Sequence, residues 1–223
     1  MERHPSPLER DFSLTTLMHA KLRAEERLAP ARDVMDKLSE LLSTKVILAG
    51  GAVRDALLER PIKDYDLFVS EDVFPAWKAI MDGDHAPGSF ADHVSTWAIP
   101  LVSGTYEDTA FGSEIASIYE FPHPDTGTEV QVMFLRKAVV ANQKLSDYVS
   151  RMDLGLSKVA VRSDGDWYIS EQFREDVRNR NMTFVARDLG SQDVERSTRR
   201  FTRLHNKYPG YTFVVPEELA TQG

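Results

Sequence analysis

Two aspartates within an apolar segment are the residues of this chain whose types and spacing point most directly to chemistry. Asp64 and Asp66 lie in "KDYDLFV", whose other residues are typical of a strand. Residues two apart on a strand project to the same side, so the two carboxylates share one face and Tyr65 lies on the other. Like charges this close repel each other, and a divalent cation such as Mg²⁺ would compensate them.

A third carboxylate is predicted on a second strand. The segment "TEVQVMF" alternates in a way that places Glu129, Gln131 and Met133 on one face. With Glu129, or a neighbour on the same strand, beside the two aspartates, the set would hold two Mg²⁺ ions for in-line displacement at a phosphorus atom. The alternative is that the aspartates only cap a strand at the surface, which is the more common meaning of an isolated Asp-x-Asp pattern.

Two glycines upstream of the aspartates favour the catalytic interpretation. The segment "LAGGAVRD" predicts a strand, the Gly50–Gly51 turn and then a helix. Glycines allow close approach of a phosphate, and the start of a helix offers free N–H groups. We expect Arg54 to bind a triphosphate and Asp55 to hold Arg54 or the turn in place. Lys63 either reaches a phosphate or is a surface lysine, and the glycines by themselves would also fit a tight connection.

The elements that must position these residues are predicted from hydrophobic periodicity. Apolar residues at helical spacing predict helices over 13–28, 30–43, 52–60, 71–83, 136–152 and 193–208. Alternating or continuous apolar runs predict strands over 45–49, 64–69, 114–121 and 128–135, with further strands between 153 and 169. Residues 82–114 are rich in glycine, proline, aspartate and serine, and predict a long loop with at most one short element.

Composition limits the class of protein. The 223 residues include no cysteine, which excludes disulfides and thiolate metal sites and fits a reducing compartment. No apolar run approaches the roughly 20 residues that span a bilayer, and the N-terminus is unlike a signal peptide, so we expect a cytoplasmic protein without membrane contact. The net charge of −8 disfavours extended coating of nucleic acid and limits such binding to a local basic patch.

A family resemblance rests on the segment "GGAVRDALLERPIKDYDLFV". It resembles the signature G-G-x-V-R-D-x-L-L-G-R-x-x-K-D-x-D of the nucleotidyltransferase superfamily, shared by CCA-adding enzymes and bacterial poly(A) polymerases, with Glu59 at a glycine position. The resemblance implies an α/β (α+β) fold with a DNA polymerase beta-like head, a mixed sheet and flanking helices, followed by a short helical C-terminal part. It also implies that Asp64, Asp66 and Glu129 hold two Mg²⁺ ions and that a nucleoside triphosphate is the substrate.

Two weaker resemblances follow in the order that the family has them. "RMDLGLSKVAV" resembles the R-D-F-T-I-N-A motif, which implies that Asp153 contacts the nucleotide sugar and phosphates, although Ser157 replaces the asparagine. "QDVERSTRRF" resembles the E-D-x-x-R motif, which implies that Asp193 and Arg196 read the incoming base, with Gln192 in place of glutamate. Other arginines of this helix would contact RNA or triphosphate, or would form a solvated basic face.

These resemblances predict a domain order and a reaction. We expect an N-terminal helical segment (1–44), a nucleotidyltransferase head (45–150) and a small neck-like C-terminal part (151–223), in a compact, phage-like member of the superfamily. The predicted reaction moves a nucleoside monophosphate from a triphosphate to an acceptor hydroxyl, with a tRNA-like RNA 3′ end as the favoured acceptor. Transfer to a protein or small molecule, and a catalytically silent nucleotide- or partner-binding module, stay open, as do the preferred triphosphate and the oligomeric state.

Overall fold

The computed structural model describes residues 4–101, 114–136, 144–185 and 191–215, without the side chains of 191–194 and 196. The helices of these residues are α1 (Pro7–Arg10), α2 (Leu14–Arg27), α3 (Ala29–Leu41), α4 (Gly51–Leu57), α5 (Phe74–Met81), α6 (Phe90–Trp97), α7 (Leu145–Val149), α8 (Glu171–Asn179) and α9 (Ser191–His205). The strands are β1 (Ile47–Ala49), β2 (Asp64–Ser70), β3 (Ile99–Leu101), β4 (Ile115–Pro122), β5 (Glu129–Leu135), β6 (Val159–Arg162), β7 (Trp167–Ile169), β8 (Asn181–Thr183) and β9 (Thr212–Val214).

One mixed sheet organises the molecule. Its seven strands lie in the order β3-β4-β5-β2-β1-β6-β7, with β2 and β5 parallel and the other neighbours antiparallel. Strands β8 and β9 form a separate parallel pair. The predicted fold class, a mixed sheet with flanking helices, is confirmed. Within the part of the chain that the structure describes, no helix is long and apolar enough to cross a membrane.

The two faces of the sheet have different roles because side chains alternate along each strand. Tyr65 and Leu67 of β2 point into the larger core, which also contains buried residues of α2, α3, α4, α5 and α6. Phe68 points to the opposite face and packs with residues of α7, including an edge contact with Tyr148 at 6.3 Å between ring centroids. That opposite face therefore carries Asp64 and Asp66 at one end of β2 and apolar residues at the other.

Local capping explains where several helices begin. Helix α2 begins after Ser13, whose hydroxyl accepts a hydrogen bond from the Thr16 N–H at 3.2 Å, and α6 begins after Ser89 in the same way. Pro30 lies in the first turn of α3, where its missing N–H has no cost. Helices α2 and α3 pack on the sheet in the larger core. The division of the chain into domains at residues 44 and 150 stays a prediction.

Four regions differ from the sequence expectation, and the first is the C-terminal part, where the paired strands β8 and β9 are not among the predicted elements. Residues 82–114, expected to be mainly loop, contain both α6 and the edge strand β3. Helix α8 is absent from the predicted elements, although Ser170 caps it by accepting from the Phe173 N–H. The helix predicted over 136–152 is present as α7, while residues 137–143 lie outside the described residues. Short amphipathic segments such as α6 bury too few residues to show a clear period.

Candidate active site

The glycine turn connects β1 to α4 as the sequence predicts. Gly50 has φ 77° and ψ −121°, a backbone conformation that strongly favours glycine. A Cβ atom at Gly50 would lie 3.4 Å from Cε of Met152, and the Gly50 N–H donates to the Val159 carbonyl at 2.9 Å. Gly51 is the first residue of α4. Val159 of β6 and Met152, the residue before Asp153, therefore hold the turn in place.

The parallel pairing of β2 with β5 brings the predicted metal ligands to one face. Asp64 is the register partner of Glu129, and Asp66 is the partner of Gln131. Register partners on neighbouring strands project to the same side of a sheet. Asp64, Asp66 and Glu129 therefore lie on one face, beside the strand β1 that leads into the glycine turn.

Asp64 and Glu129 each contact another side chain of the protein. Lys63 Nζ lies 2.9 Å from Asp64 Oδ2. Gln131 Nε2 donates to Glu129 Oε1 at 2.8 Å and to Glu120 Oε2 at 3.0 Å. Among the described residues, the three predicted ligands do not form a group whose ligand atoms all lie within 4.8 Å of one another. Carboxylates repel each other, and a cation bound between them would draw them together.

The donor set nevertheless fits a hard divalent cation. Burial, followed by the charges of Asp64 and Glu129, raises the pKa of Asp66 to about 7, although the charge of Arg200 lowers it. A carboxyl with this environment is stabilised in its charged form by added positive charge. Carboxylate oxygens are also the ligands that Mg²⁺ prefers. The residues present therefore suit a Mg²⁺ site at this edge of β2 and β5.

A different group does bring three ligand atoms within 4.8 Å, namely Asp33, His123 and Asp125. His123 is 3% exposed, and its Nε2 lies 3.0 Å from the Pro30 carbonyl oxygen. Its Nδ1 accepts hydrogen bonds from the backbone N–H groups of Asp125 and Thr126. Both ring nitrogens are thus engaged in shaping the turn between β4 and β5, so the group is better explained as part of that turn than as a metal site.

Arg54 lies beside the glycine turn but is almost fully buried, at 3% exposure. Its Nε donates to Asp55 Oδ1 at 2.8 Å and to the Tyr208 hydroxyl at 2.9 Å, and its Nη1 donates to Ser157 Oγ at 3.2 Å. Nη2 is 3.7 Å from the position of a Cβ on Gly51. Two of its nitrogens therefore bind the protein, and Nη2 lies toward the turn. The contact of Arg54 with a triphosphate stays a prediction.

Asp55 accepts a hydrogen bond from Arg54 and also binds the C-terminal part, while its role in positioning Arg54 or the turn stays a prediction. Lys207 Nζ lies 2.5 Å from its Oδ2, and the Tyr208 hydroxyl donates to its Oδ1. Burial lowers the pKa of Arg54, but the charges of and hydrogen bonds with Asp55 and Tyr208 together outweigh that effect and bring the pKa above its usual value. The sequence does not single out Lys207 and Tyr208 as site residues, because more than 150 residues separate them from Asp55.

Asp153 is buried at 3% exposure and binds helix α9. It accepts hydrogen bonds from Ser197 Oγ at 2.7 Å and from Arg200 Nη1 at 2.6 Å. Its contact with a nucleotide therefore stays a prediction, and the structure adds two protein donors that the sequence does not assign. Ser197 and Arg200 are three residues apart on a helix and therefore share a face, which is the sequence pattern from which their joint contact could be predicted. Asp193 and Arg196 lie on α9, but their side chains are outside the described residues.

Comparisons with known proteins agree with this architecture. No family model matches the chain. A multifunctional CCA protein from Pseudoalteromonas atlantica is 27% identical over 180 residues, which are 79% of this chain and 39% of that protein. The chain thus spans about two fifths of the length of this curated relative.

Solved structures of CCA-adding enzymes have a similar fold. An apo form matches with TM-score 0.55 at 16% identity, over 92% of this chain and 42% of the other. A complex with ATP matches with TM-score 0.54 at 15% identity, over 97% and 45%. A Thermotoga maritima enzyme complexed with tRNA matches with TM-score 0.53 at 13% identity, over 90% and 42%. These findings confirm the predicted resemblance to nucleotidyltransferases of the CCA-adding type and the fold of their head.

Proposed function

We propose that this chain, which shares a motif and a head fold with CCA-adding nucleotidyltransferases, transfers a nucleoside monophosphate from a triphosphate to an acceptor hydroxyl. The observation that carries the proposal is the register of β2 and β5, which aligns Asp64 with Glu129 and leaves Asp66 on the same face. The glycine turn follows the strand that neighbours β2. A triphosphate on that turn would therefore lie beside the carboxylates.

In this proposal Asp64, Asp66 and Glu129 would hold two Mg²⁺ ions. Such ions, when bound, lower the pKa of an acceptor hydroxyl and stabilise a leaving pyrophosphate. The protein's part is to present the carboxylates on one face, where Lys63 hydrogen-bonds to one oxygen of Asp64 and Gln131 to one oxygen of Glu129. Lys63 is able to move because its side chain is 77% exposed, so it can follow the negative charge to a phosphate.

The remaining predicted residues are proposed to bind the nucleotide. The backbone of Gly50 and Gly51 receives the phosphates, with Nη2 of Arg54 beside them and Asp55 as the residue that positions Arg54. Asp153 orders the segment next to the turn. Asp193 and Arg196 on α9 are proposed to read the base, as the resemblance implies.

The favoured acceptor is the 3′ end of an RNA of the tRNA kind. The name of the curated relative and the tRNA complex of the Thermotoga maritima enzyme support it. The second acceptor class is a protein or a small molecule. It is supported by the net charge of −8, which opposes extended contact with a polyanion. A silent nucleotide-binding module is the third alternative, and the alignment of Asp64 with Glu129 argues against it.

The test is a transfer assay with the whole chain. Each labelled nucleoside triphosphate is incubated with Mg²⁺ and with total RNA or total protein, and the labelled product is identified. We expect label at RNA 3′ ends, its loss on chelation of Mg²⁺ and its loss in Asp64→Ala. Asp82→Ala is the matched control, because Asp82 is an exposed aspartate whose side chain is 66% accessible. Label in protein would instead establish the second acceptor class, and no transfer to any acceptor would contradict the proposal.

A further inference from the structure

Helix α9 brings one of its arginines close to the candidate active site. Arg200 donates from Nη1 to Oδ1 of Asp153 at 2.6 Å, and Asp153 is itself buried and also bound by Ser197. Met152, next to Asp153, packs against Gly50 of the glycine turn. The anchor of Arg200 is therefore built into the same segment that supports the turn.

Arg200 is anchored on Asp153, and Asp153 follows Met152, which packs against Gly50. The guanidinium of Arg200 therefore lies on the segment that supports the glycine turn, where the triphosphate is proposed to bind.

Its neighbours on the helix do not share these properties. The side chain of Arg199 is 60% exposed and pairs with Glu195 at 2.7 Å, which is a surface contact within one helix. Arg203 is exposed. The side chain of Arg200 is 31% exposed, so one nitrogen is fixed on Asp153 and the rest of the guanidinium can meet a ligand. A preorganised guanidinium of this kind suits a phosphate oxygen.

We infer that Arg200 binds the β- and γ-phosphates of the nucleoside triphosphate and stabilises the pyrophosphate that leaves; this inference rests on the proposed function. In the transfer step the acceptor oxygen forms a bond to the α-phosphorus. The bond from that phosphorus to the oxygen bridging to the β-phosphate breaks, and its electron pair leaves with pyrophosphate. The hydroxyl proton passes to solvent. Arg200 donates its remaining N–H groups to the charge that develops on the leaving group.

The experiment compares nucleotide affinities by isothermal titration calorimetry, with Mg²⁺ and without an acceptor. Arg200→Ala should weaken ATP binding roughly tenfold or more, the loss expected for a charge-assisted contact, and should leave AMP binding unchanged. Arg203→Ala is the matched control on the same helix and should change neither affinity. Unchanged ATP affinity in Arg200→Ala, or an equal loss for AMP, would overturn the inference.

A second variant separates binding from the anchoring of α9. Ser197→Ala removes the other donor to Asp153 but keeps the arginine, so it should retain ATP affinity. If Ser197→Ala loses as much ATP affinity as Arg200→Ala, the arginine only holds the helix and the inference fails. If thermal unfolding shows that Arg200→Ala is not folded, Arg200→Gln is used in its place. Its side chain can still donate a hydrogen bond to Asp153.

The outcome is independent of the transfer assay. If the wild-type chain transfers nothing but Arg200→Ala still weakens ATP binding, the proposed function is contradicted and the assignment of Arg200 is kept. If the wild-type chain transfers nucleotide and the Arg200→Ala variant binds ATP normally, the function is kept and the assignment is removed.

Discussion

Asp55 and Asp66 belong to one short motif, but the fold surrounds them with opposite charges. Burial raises the pKa of Asp55, and the charge and hydrogen bond of Arg54, with the hydrogen bonds of Lys207 and Tyr208, bring it below the usual value. Burial and the carboxylates of Asp64 and Glu129 together raise the pKa of Asp66 to about 7, against a smaller lowering by Arg200. One aspartate is satisfied by cations of the chain, and the other is suited to receive a cation from solution.

This difference distinguishes a structural acid from a candidate catalytic one within a single strand–turn–helix–strand segment. Asp55 joins α4 to the C-terminal part through residues that follow α9. Asp66 instead faces the carboxylate row of β2 and β5, where Glu129 lies opposite Asp64. Removing each charge should therefore change different properties of the protein.

The largest expected effect is on transfer by Asp66→Asn. Loss of this carboxylate should lower transfer about a thousandfold or more, because a metal ligand acts together with its partners. The same variant should raise the melting temperature of the metal-free chain by about 2–4 °C, because it removes repulsion next to Asp64. Transfer assays and thermal unfolding measure the two effects. Wild-type transfer by this variant would mean that the metal ligands are assigned wrongly.

The second effect is on stability in Asp55→Ala. This change leaves the buried guanidinium of Arg54 without its carboxylate partner, which should cost about 3–5 kcal/mol of the free energy of unfolding. Denaturant unfolding measures the loss, with Asp82→Ala as an exposed control that should change little. A loss no larger than that of the control would show that the network around Asp55 does not hold the C-terminal part in place.

The third effect concerns the turn that precedes both acids. Gly50→Ala should cost about 1–3 kcal/mol, because its φ of 77° strains any side chain, and should also weaken triphosphate binding. Gly83 is the matched control, since it has φ 91° but a Cβ added there would meet no atom within 4 Å. Gly83→Ala should cost stability without a loss of binding, which calorimetry with ATP measures. Equal binding losses in both variants would remove the special role of the turn at Gly50.

The smallest effect is on the pH dependence of stability. Because the folded pKa of Asp55 lies below its unfolded value of 3.8, its contribution is present above that pH and is lost as the pH falls through the folded pKa. Asp55→Asn should therefore show a weaker loss of stability on acidification than the wild type. Unfolding measured from about pH 5 to about pH 2, a range around the usual aspartate pKa, tests this. Parallel curves for the two proteins would contradict the assignment.

Much of the candidate site could be predicted because its parts are local in sequence. The alternation of "KDYDLFV" places Asp64 and Asp66 on one face, and the two glycines indicate the turn that Gly50 forms with positive φ. Alternation also makes Glu129 a candidate, but the parallel pairing that aligns it with Asp64 is visible only in the structure, since periodicity does not specify which strands become neighbours. Strand β3 escapes prediction because three residues carry little periodic signal. Helix α8 is amphipathic and is capped by Ser170, so the signal for it is present in the sequence.

The sequence by itself determined which residues can do chemistry here: the acids of one strand, the glycines before a helix and the basic character of α9. Only the tertiary structure decided how each charge is used. It buried Arg54 between Asp55 and Tyr208, and it anchored Arg200 on Asp153. The physical reason is that the pKa and the availability of a charged group depend on burial and on neighbours brought from distant parts of the chain, which local spacing does not specify.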